Sequence, residues 1–389
     1  MDLTLVVVLV IALALIFDFT NGFHDTANAM ATPIATGALK PKTAVALAAV
    51  LNLVGAFLST EVAKTISGGL IHTEGDGAVA ITPAMILAGL IGAILWNLIT
   101  WLLGLPSSSS HALFGGLIGA AIVGAWSLDP IDGGVLVSKI LIPAILAPLL
   151  AGVVSYLATK IAFGITKKRQ RDSFKVGQVF TSSLVSLAHG TNDAQKTMGV
   201  ITLTLIAAGL QPVDSGPQFW VIVACAVAIA AGTYSGGWRI IKTLGKDITD
   251  GIEPAQGFAA EASTTATILA SSHLGFALST TQVASGSVIG TGIGRKGASV
   301  RWKTAGRIGL GWLITIPASG AIAAFMALIA RALWWGVILD AVIAAVAILA
   351  IYLLSRRGSV TAKHFHQPQP TAFVRPKKRR KKKKSRSRR

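Results

Sequence analysis

Three runs of sequence, Leu3–Phe19, Ala84–Leu105 and Val337–Leu354, are long enough to cross a bilayer as helices, a crossing that takes about 20 apolar residues. The rest of the chain agrees. Of its 389 residues 52% are hydrophobic and 13% charged, against roughly 25% charged in soluble domains, and the mean hydropathy is +0.66. The expected fold class is an all-α polytopic membrane protein. The first run has no basic n-region and leads into polar residues, not a small-residue cleavage site, so it reads as a retained helix. The single cysteine, Cys225, excludes an intramolecular disulfide and a Cys-based metal centre.

The formal net charge of +19 is unevenly distributed. Residues 356–389 hold 15 Lys and Arg and no acid, leaving +4 for everything else. The end of that stretch, "VRPKKRRKKKKSRSRR", is low-complexity and self-repelling, which predicts disorder. It suits contact with anionic lipid headgroups at about 1 kcal/mol per basic residue. No aromatic residue interleaves the charges, so specific nucleic-acid binding is not expected.

Hydropathy predicts about 11 membrane segments, near 3–22, 43–62, 81–104, 110–126, 135–163, 178–209, 218–237, 256–274, 280–294, 304–330 and 335–354. Alternate crossings put the basic groups Lys40/Lys42, Lys160–Lys175, Arg239–Lys246 and Arg295–Arg307 on one face. The acidic loops Glu61–Asp76, Asp129–Asp132 and Asp214 fall on the other. By the positive-inside rule the basic face is cytoplasmic, the N-terminus lies outside and the tail inside. Trp126, Trp220, Trp334 and Trp335 sit near outer ends and Trp238 and Trp302 near inner ends, as interfacial belts do.

The chain also repeats itself. "GFHDTANAM" at 22–30 returns as "GTNDAQKTM" at 190–198, an offset of 168. "PSSSSHALFGGLIG" at 106–119 returns as "ALSTTQVASGSVIG" at 277–290, an offset of 171, and Pro148 and Pro317 stand 169 apart. This divides the chain into a first repeat (1–163), a basic cytoplasmic linker (164–177), a second repeat (178–330), an extra helix (331–355) and the tail (356–389). An odd number of crossings per repeat inverts the second relative to the first, the architecture of secondary transporters built on broken or hairpin helices.

Each hydroxyl run, Ser108–Ser110 and Ser279–Thr281, opens a short apolar helix. Such residues cap helices. Four serines in a row, 107–110, exceed what a cap needs, and hydroxyls at a positive helix end also suit a small oxyanion. Asp25 and Asp193 occupy matching positions at membrane depth, where a charge costs roughly 2.5–3.5 kcal/mol. With Asn28, Asn192 and Gln195 they offer oxygen ligands for a small cation or a proton. Two carboxylates repel an anion by about 4 kcal/mol each at 4 Å, and the motifs contain one basic residue, Lys196. Cotransport follows as an expectation: the cation or proton offsets the carboxylates while the anion binds. His24 reads as a proton carrier or a neutral donor, His111 and its counterpart Gln282 as orienting groups, and Glu261 as part of an ion path or an interfacial acid. No structural metal site and no cofactor are expected beyond the coupling ion.

At these residues the chain resembles the PiT family of inorganic phosphate transporters. The resemblance covers about residues 3–330 and rests on "GFHDTANA", "GTNDAQKTMG", "PSSSSH" and "LSTTQ"; it is strongest to the low-affinity bacterial branch. It implies a bacterial plasma-membrane symporter of phosphate or metal–phosphate, driven by H+ or Na+. It also implies that Asp25, Asn28, Asn192, Asp193, Ser108–Ser110 and Ser279–Thr281 form the central phosphate and cation sites. Three departures bear on the coupling ion: His24 stands where the family usually has Asn, Gln282 where it usually has His, and Asn52 where many members have Glu.

The expected function is thus a phosphate:cation symporter working by alternating access, and not an enzyme. A symporter of another tetrahedral oxyanion such as sulfate is the main alternative. A channel would have no use for a coupling ion. An intramembrane serine hydrolase using Ser110 and His111 lacks the G-x-S-x-G context that exposes a nucleophile. Affinity, stoichiometry and oligomeric state leave no mark in the sequence.

Overall fold

The structure, a computed structural model, describes residues 2–63, 81–165, 173–213, 215–273 and 278–365. Residues 64–80, most of the basic linker, Asp214, residues 274–277 and the tail beyond 365 lie outside these residues.

All regular structure described is helical. The spans are α1 (Leu3–Thr36), α2 (Pro41–Gly55), α3 (Pro83–Leu102), α4 (Ser109–Ala125), α5 (Gly133–Ile165), α6 (Phe174–Ala207), α7 (Phe219–Ser235), α8 (Trp238–Asp247), α9 (Pro254–His273), α10 (Thr280–Gly294), α11 (Trp302–Ala332) and α12 (Gly336–Arg356). The predicted first helix, 3–22, is corrected: α1 runs 34 residues, capped by the Asp2 carboxylate and ended by Gly37 at φ 71°. The polar motif belongs to the helix itself. Its Ala residues favour helix, and its polar side chains find partners on other helices, so nothing forces the backbone to break. The second motif sits likewise inside α6, also 34 residues long.

Five helices, α1, α3, α5, α11 and α12, are long and apolar enough to cross a membrane. The pair α7–α8, bent by 56°, makes a sixth. Gly236 makes the bend, at φ 74°, a conformation glycine adopts without steric cost. The chain is therefore an all-α multi-pass membrane protein, with five or six such spans among the described residues. The expected 11 do not all pass on length and apolarity, because α6 and α9 carry buried polar stripes and α2, α4 and α10 have only 15, 17 and 15 residues. Outward faces are apolar, as lipid requires: Ile145, Leu149 and Val153 on α5 and Val346 and Leu349 on α12 are exposed. Trp126, Trp302 and Trp334 are exposed at helix ends.

The packing is reciprocal. A Cβ on Gly290 of α10 would stand 2.1 Å from the Gly152 carbonyl oxygen of α5, and one on Gly119 of α4 would stand 2.1 Å from the Gly320 carbonyl oxygen of α11. Gly286 meets Pro148 as Gly115 meets Ile316. Small residues let helix backbones approach this closely. Gly22 of α1 presses on Ile229 of α7, and Gly190 of α6 presses on Asn52 of α2. Each motif-bearing helix thus packs on a helix from the other half of the chain, a pattern consistent with a pseudo-symmetric repeat.

Candidate functional site

The starts of α4 and α10 converge on α1 and α6. Ser108 Oγ accepts from the His111 backbone N–H at 3.1 Å, and Ser279 Oγ accepts from the Gln282 N–H at 3.3 Å. These two hydroxyls act as N-caps, the simpler of the expectations for them. Of the hydroxyls that follow the caps, Ser109, Thr280 and Thr281 donate to the aspartates, and Ser110 donates to the Leu278 carbonyl.

Asp25 accepts from Ser109 Oγ at 3.1 Å and Thr281 Oγ1 at 3.0 Å, and lies 2.7 Å from His24 Nδ1. Asp193 accepts from Thr280 Oγ1 at 3.2 Å, from Asn192 Nδ2 at 3.0 Å and from the Lys196 ammonium. Lys196 also donates to Ser110 Oγ at 2.5 Å, while Asn28 Nδ2 donates to Thr281 and Thr280 at 3.1 and 3.3 Å. Asn28 and Lys196 are 168 positions apart, as are His24 and Asn192. Matching residues therefore make matching contacts: His24 and Asn192 each meet the aspartate next in sequence, while Asn28 and Lys196 each cross to a hydroxyl of the other half of the chain. All of these side chains are buried.

Two expected residues stand elsewhere. Gln195 accepts from the Val62 and Ala63 backbone N–H groups at 2.7 and 3.3 Å, so it ties down the chain after α2 and does not join the aspartates. Glu261 forms a separate station, accepting from Thr32 at 2.6 Å, Gln178 at 3.0 Å and Thr181 at 2.5 Å. Thr32 is seven residues beyond Asp25 on α1, about 10 Å along a helix. His111 and Gln282 face each other at 3.5 Å and line a largely apolar cavity of about 990 Å³ between α5 and α11. The hydrolase reading finds no geometry: Ser110 Oγ bonds Lys196 and the Leu278 carbonyl, and among the described residues no hydrogen bond joins it to the His111 ring.

The reading from sequence missed His189. Its Nε2 lies 2.8 Å from Asp193 Oδ2 and 3.8 Å from Asp25 Oδ2, bridging the two carboxylates. The available signal was its i,i+4 spacing to Asp193 on one helix face. Its presence corrects the charge argument. Lys196 is not the lone basic residue at the site, and Lys196 with a protonated His189 already balances Asp25 and Asp193. Asp25, His189 and Asp193 offer ligand atoms within 4.8 Å of one another. They can hold a cation only with His189 neutral, and Lys196 competes for one carboxylate. Asp18 was missed too, hidden in a run otherwise so apolar that it read as featureless; Asn21 and Asn97 are further buried amides of this region.

Helices that cross the membrane, a polar centre sealed within them and hydroxyl-bearing helix starts facing it define a membrane transporter, not an enzyme. The sequence profile of the phosphate transporter family matches residues 21–173 and 162–323, and the chain belongs to that family. It is 53% identical over 368 residues to a probable low-affinity inorganic phosphate transporter of Mycobacterium tuberculosis (strain ATCC 25618 / H37Rv), covering 92% of this chain and 87% of the relative. A Bacillus subtilis (strain 168) protein described in the same words is 44% identical, covering 84% of this chain and 98% of its own. A solved structure titled the sodium-dependent phosphate transporter shares the fold, with a TM-score of 0.74 at 22% identity over 84% of this chain and 99% of that one.

Proposed function

We propose that the protein imports inorganic phosphate across a bacterial plasma membrane, coupled to H+ or Na+, by alternating access between two inverted repeats. The observation that carries this reading is the meeting of Ser109, Ser110, Thr280 and Thr281, at the starts of α4 and α10, with Asp25 and Asp193 in one buried centre. Hydroxyl groups and free N–H groups at a positive helix end replace the water shell of an oxyanion. Lys196 and His189 offset the carboxylates that would otherwise repel it. The names of the relatives favour phosphate over sulfate.

The finer architecture belongs to the same proposal. Eleven segments divide into repeats 1–163 and 178–330 joined by the linker 164–177, with an extra helix at 331–355 and a basic tail at 356–389. The N-terminus is outside and the tail cytoplasmic, in reach of anionic headgroups. The reciprocal glycine contacts support the inversion.

In proteoliposomes loaded with equal protein, labelled phosphate is taken up against its gradient, and sulfate competes weakly. Asp25→Asn lowers uptake per molecule at least about tenfold, the scale of a lost coupling of 1–3 kcal/mol, with the amount of protein in the membrane unchanged. Equal uptake by the variant removes Asp25 from the site. Sulfate uptake without phosphate uptake replaces the substrate.

A further inference from the structure

The central aspartates already have Lys196 and His189 against them, which leaves open where a coupling cation binds. Asp18 stands apart from that balance. It is fully buried in α1, and among the described residues neither carboxylate oxygen has a hydrogen-bond partner. Asn21, on the same face of α1, is buried with both amide atoms unpartnered. The Thr197 hydroxyl of α6 stands beside Asp18. The charged groups that face it are Asp193, His189 and Lys196 of α6, all engaged with one another; α7 contributes the thiol of Cys225, and α3 has no ionisable residue. Asp340, the other buried carboxyl without a hydrogen-bond partner among the described residues, lies four residues from the start of α12.

An ionised carboxylate sealed in helices, with no hydrogen bond of ordinary geometry made to it, is strongly unfavourable. One added proton removes the charge, and the carboxyl O–H then has the Thr197 hydroxyl beside it as an acceptor. We infer that Asp18 is the residue that binds the coupling proton, separate from the phosphate-binding centre. This rests on the symport reading above. Asp18 precedes Asp25 by seven residues, about 10 Å toward the helix N-terminus, on the outer side in the proposed topology. The carboxylate takes its proton from external water before phosphate is occluded and returns it to internal water after the site reopens. Loss of that proton while phosphate is bound leaves a bare buried charge, which ties the two movements together.

The test uses the full chain in proteoliposomes and separates net accumulation from exchange. Labelled phosphate is followed under an imposed pH gradient, under an imposed Na+ gradient, and in phosphate–phosphate exchange without any gradient. Wild-type protein is expected to accumulate phosphate under the pH gradient. Asp18→Asn is expected to lose that accumulation about tenfold or more, on the scale of an ordinary coupling free energy, and to keep exchange. Asp18→Glu is expected to keep both with a displaced pH profile. Wild-type accumulation with unaltered pH-driven uptake in Asp18→Asn overturns the assignment and leaves symport standing. Accumulation driven only by Na+ overturns the proton. Wild-type accumulation with neither gradient overturns symport itself. If Asp18→Asn fails to assemble, the pH profile of Asp18→Glu decides: displaced supports the assignment, unchanged overturns it.

Discussion

Lys196 and Asn28 occupy matching positions in the two motifs, and each donates to a hydroxyl of the facing run. The difference between them is a charge. Lys196 binds Asp193 where both are fully buried. Removing one member of such a pair strands the other and costs about 3–5 kcal/mol, while replacing both is far milder. Lys196→Met is therefore expected to lower the thermal midpoint of the detergent-purified protein sharply. Lys196→Met with Asp193→Leu is expected to recover most of that loss without recovering transport. Additive losses in the double variant would show that the two side chains are not coupled. His189 follows the same logic from the other side of Asp193, 2.8 Å from that carboxylate and 3.8 Å from Asp25.

At the scale of elements, the helix contacts rest on missing side chains. Gly290 lies against backbone, which has nowhere to go, so Gly290→Ala pushes α10 from α5 at a cost of about 1–3 kcal/mol. Gly309 of α11 has nothing within 4 Å of the position its Cβ would take. There Gly309→Ala gains up to about 1 kcal/mol from helix propensity. The pair is checked by unfolding both variants under one condition; equal effects would remove the packing argument. Because α4 and α10 each start in the polar centre and pack on α11 and α5, a shift of either helix displaces the hydroxyls it carries.

For the whole molecule, the central question is orientation. Cys225 is fully buried, so an impermeant maleimide meets little background labelling. With Cys225→Ser as the parent, a cysteine in place of Asp2 is expected to react from outside intact cells, and one in place of Lys363 only after lysis. The reverse pattern inverts the topology and with it the outer placement of Asp18. The two long motif helices, each packed on a partner from the other half, also make the halves unable to form the centre separately: Asp25 takes hydroxyls from both runs, and Ser110 is held by Lys196 across the same boundary.

What the sequence alone determined is what depends on composition, period and self-similarity: membrane residence, helical class, the duplicated motifs, the hydroxyl runs and the two aspartates. These are local properties, readable in one dimension. Three things were decided only by the tertiary structure. Helix α1 runs through its polar motif because partners on other helices satisfy it. His189 joins both aspartates because α1 and α6 cross there, a meeting no spacing along either helix encodes. Asp18 becomes a distinct group only when every neighbour is in place, since a carboxyl is costly or harmless according to what surrounds it. Charge compensation is a sum over space, and the sequence lists the charges without the distances.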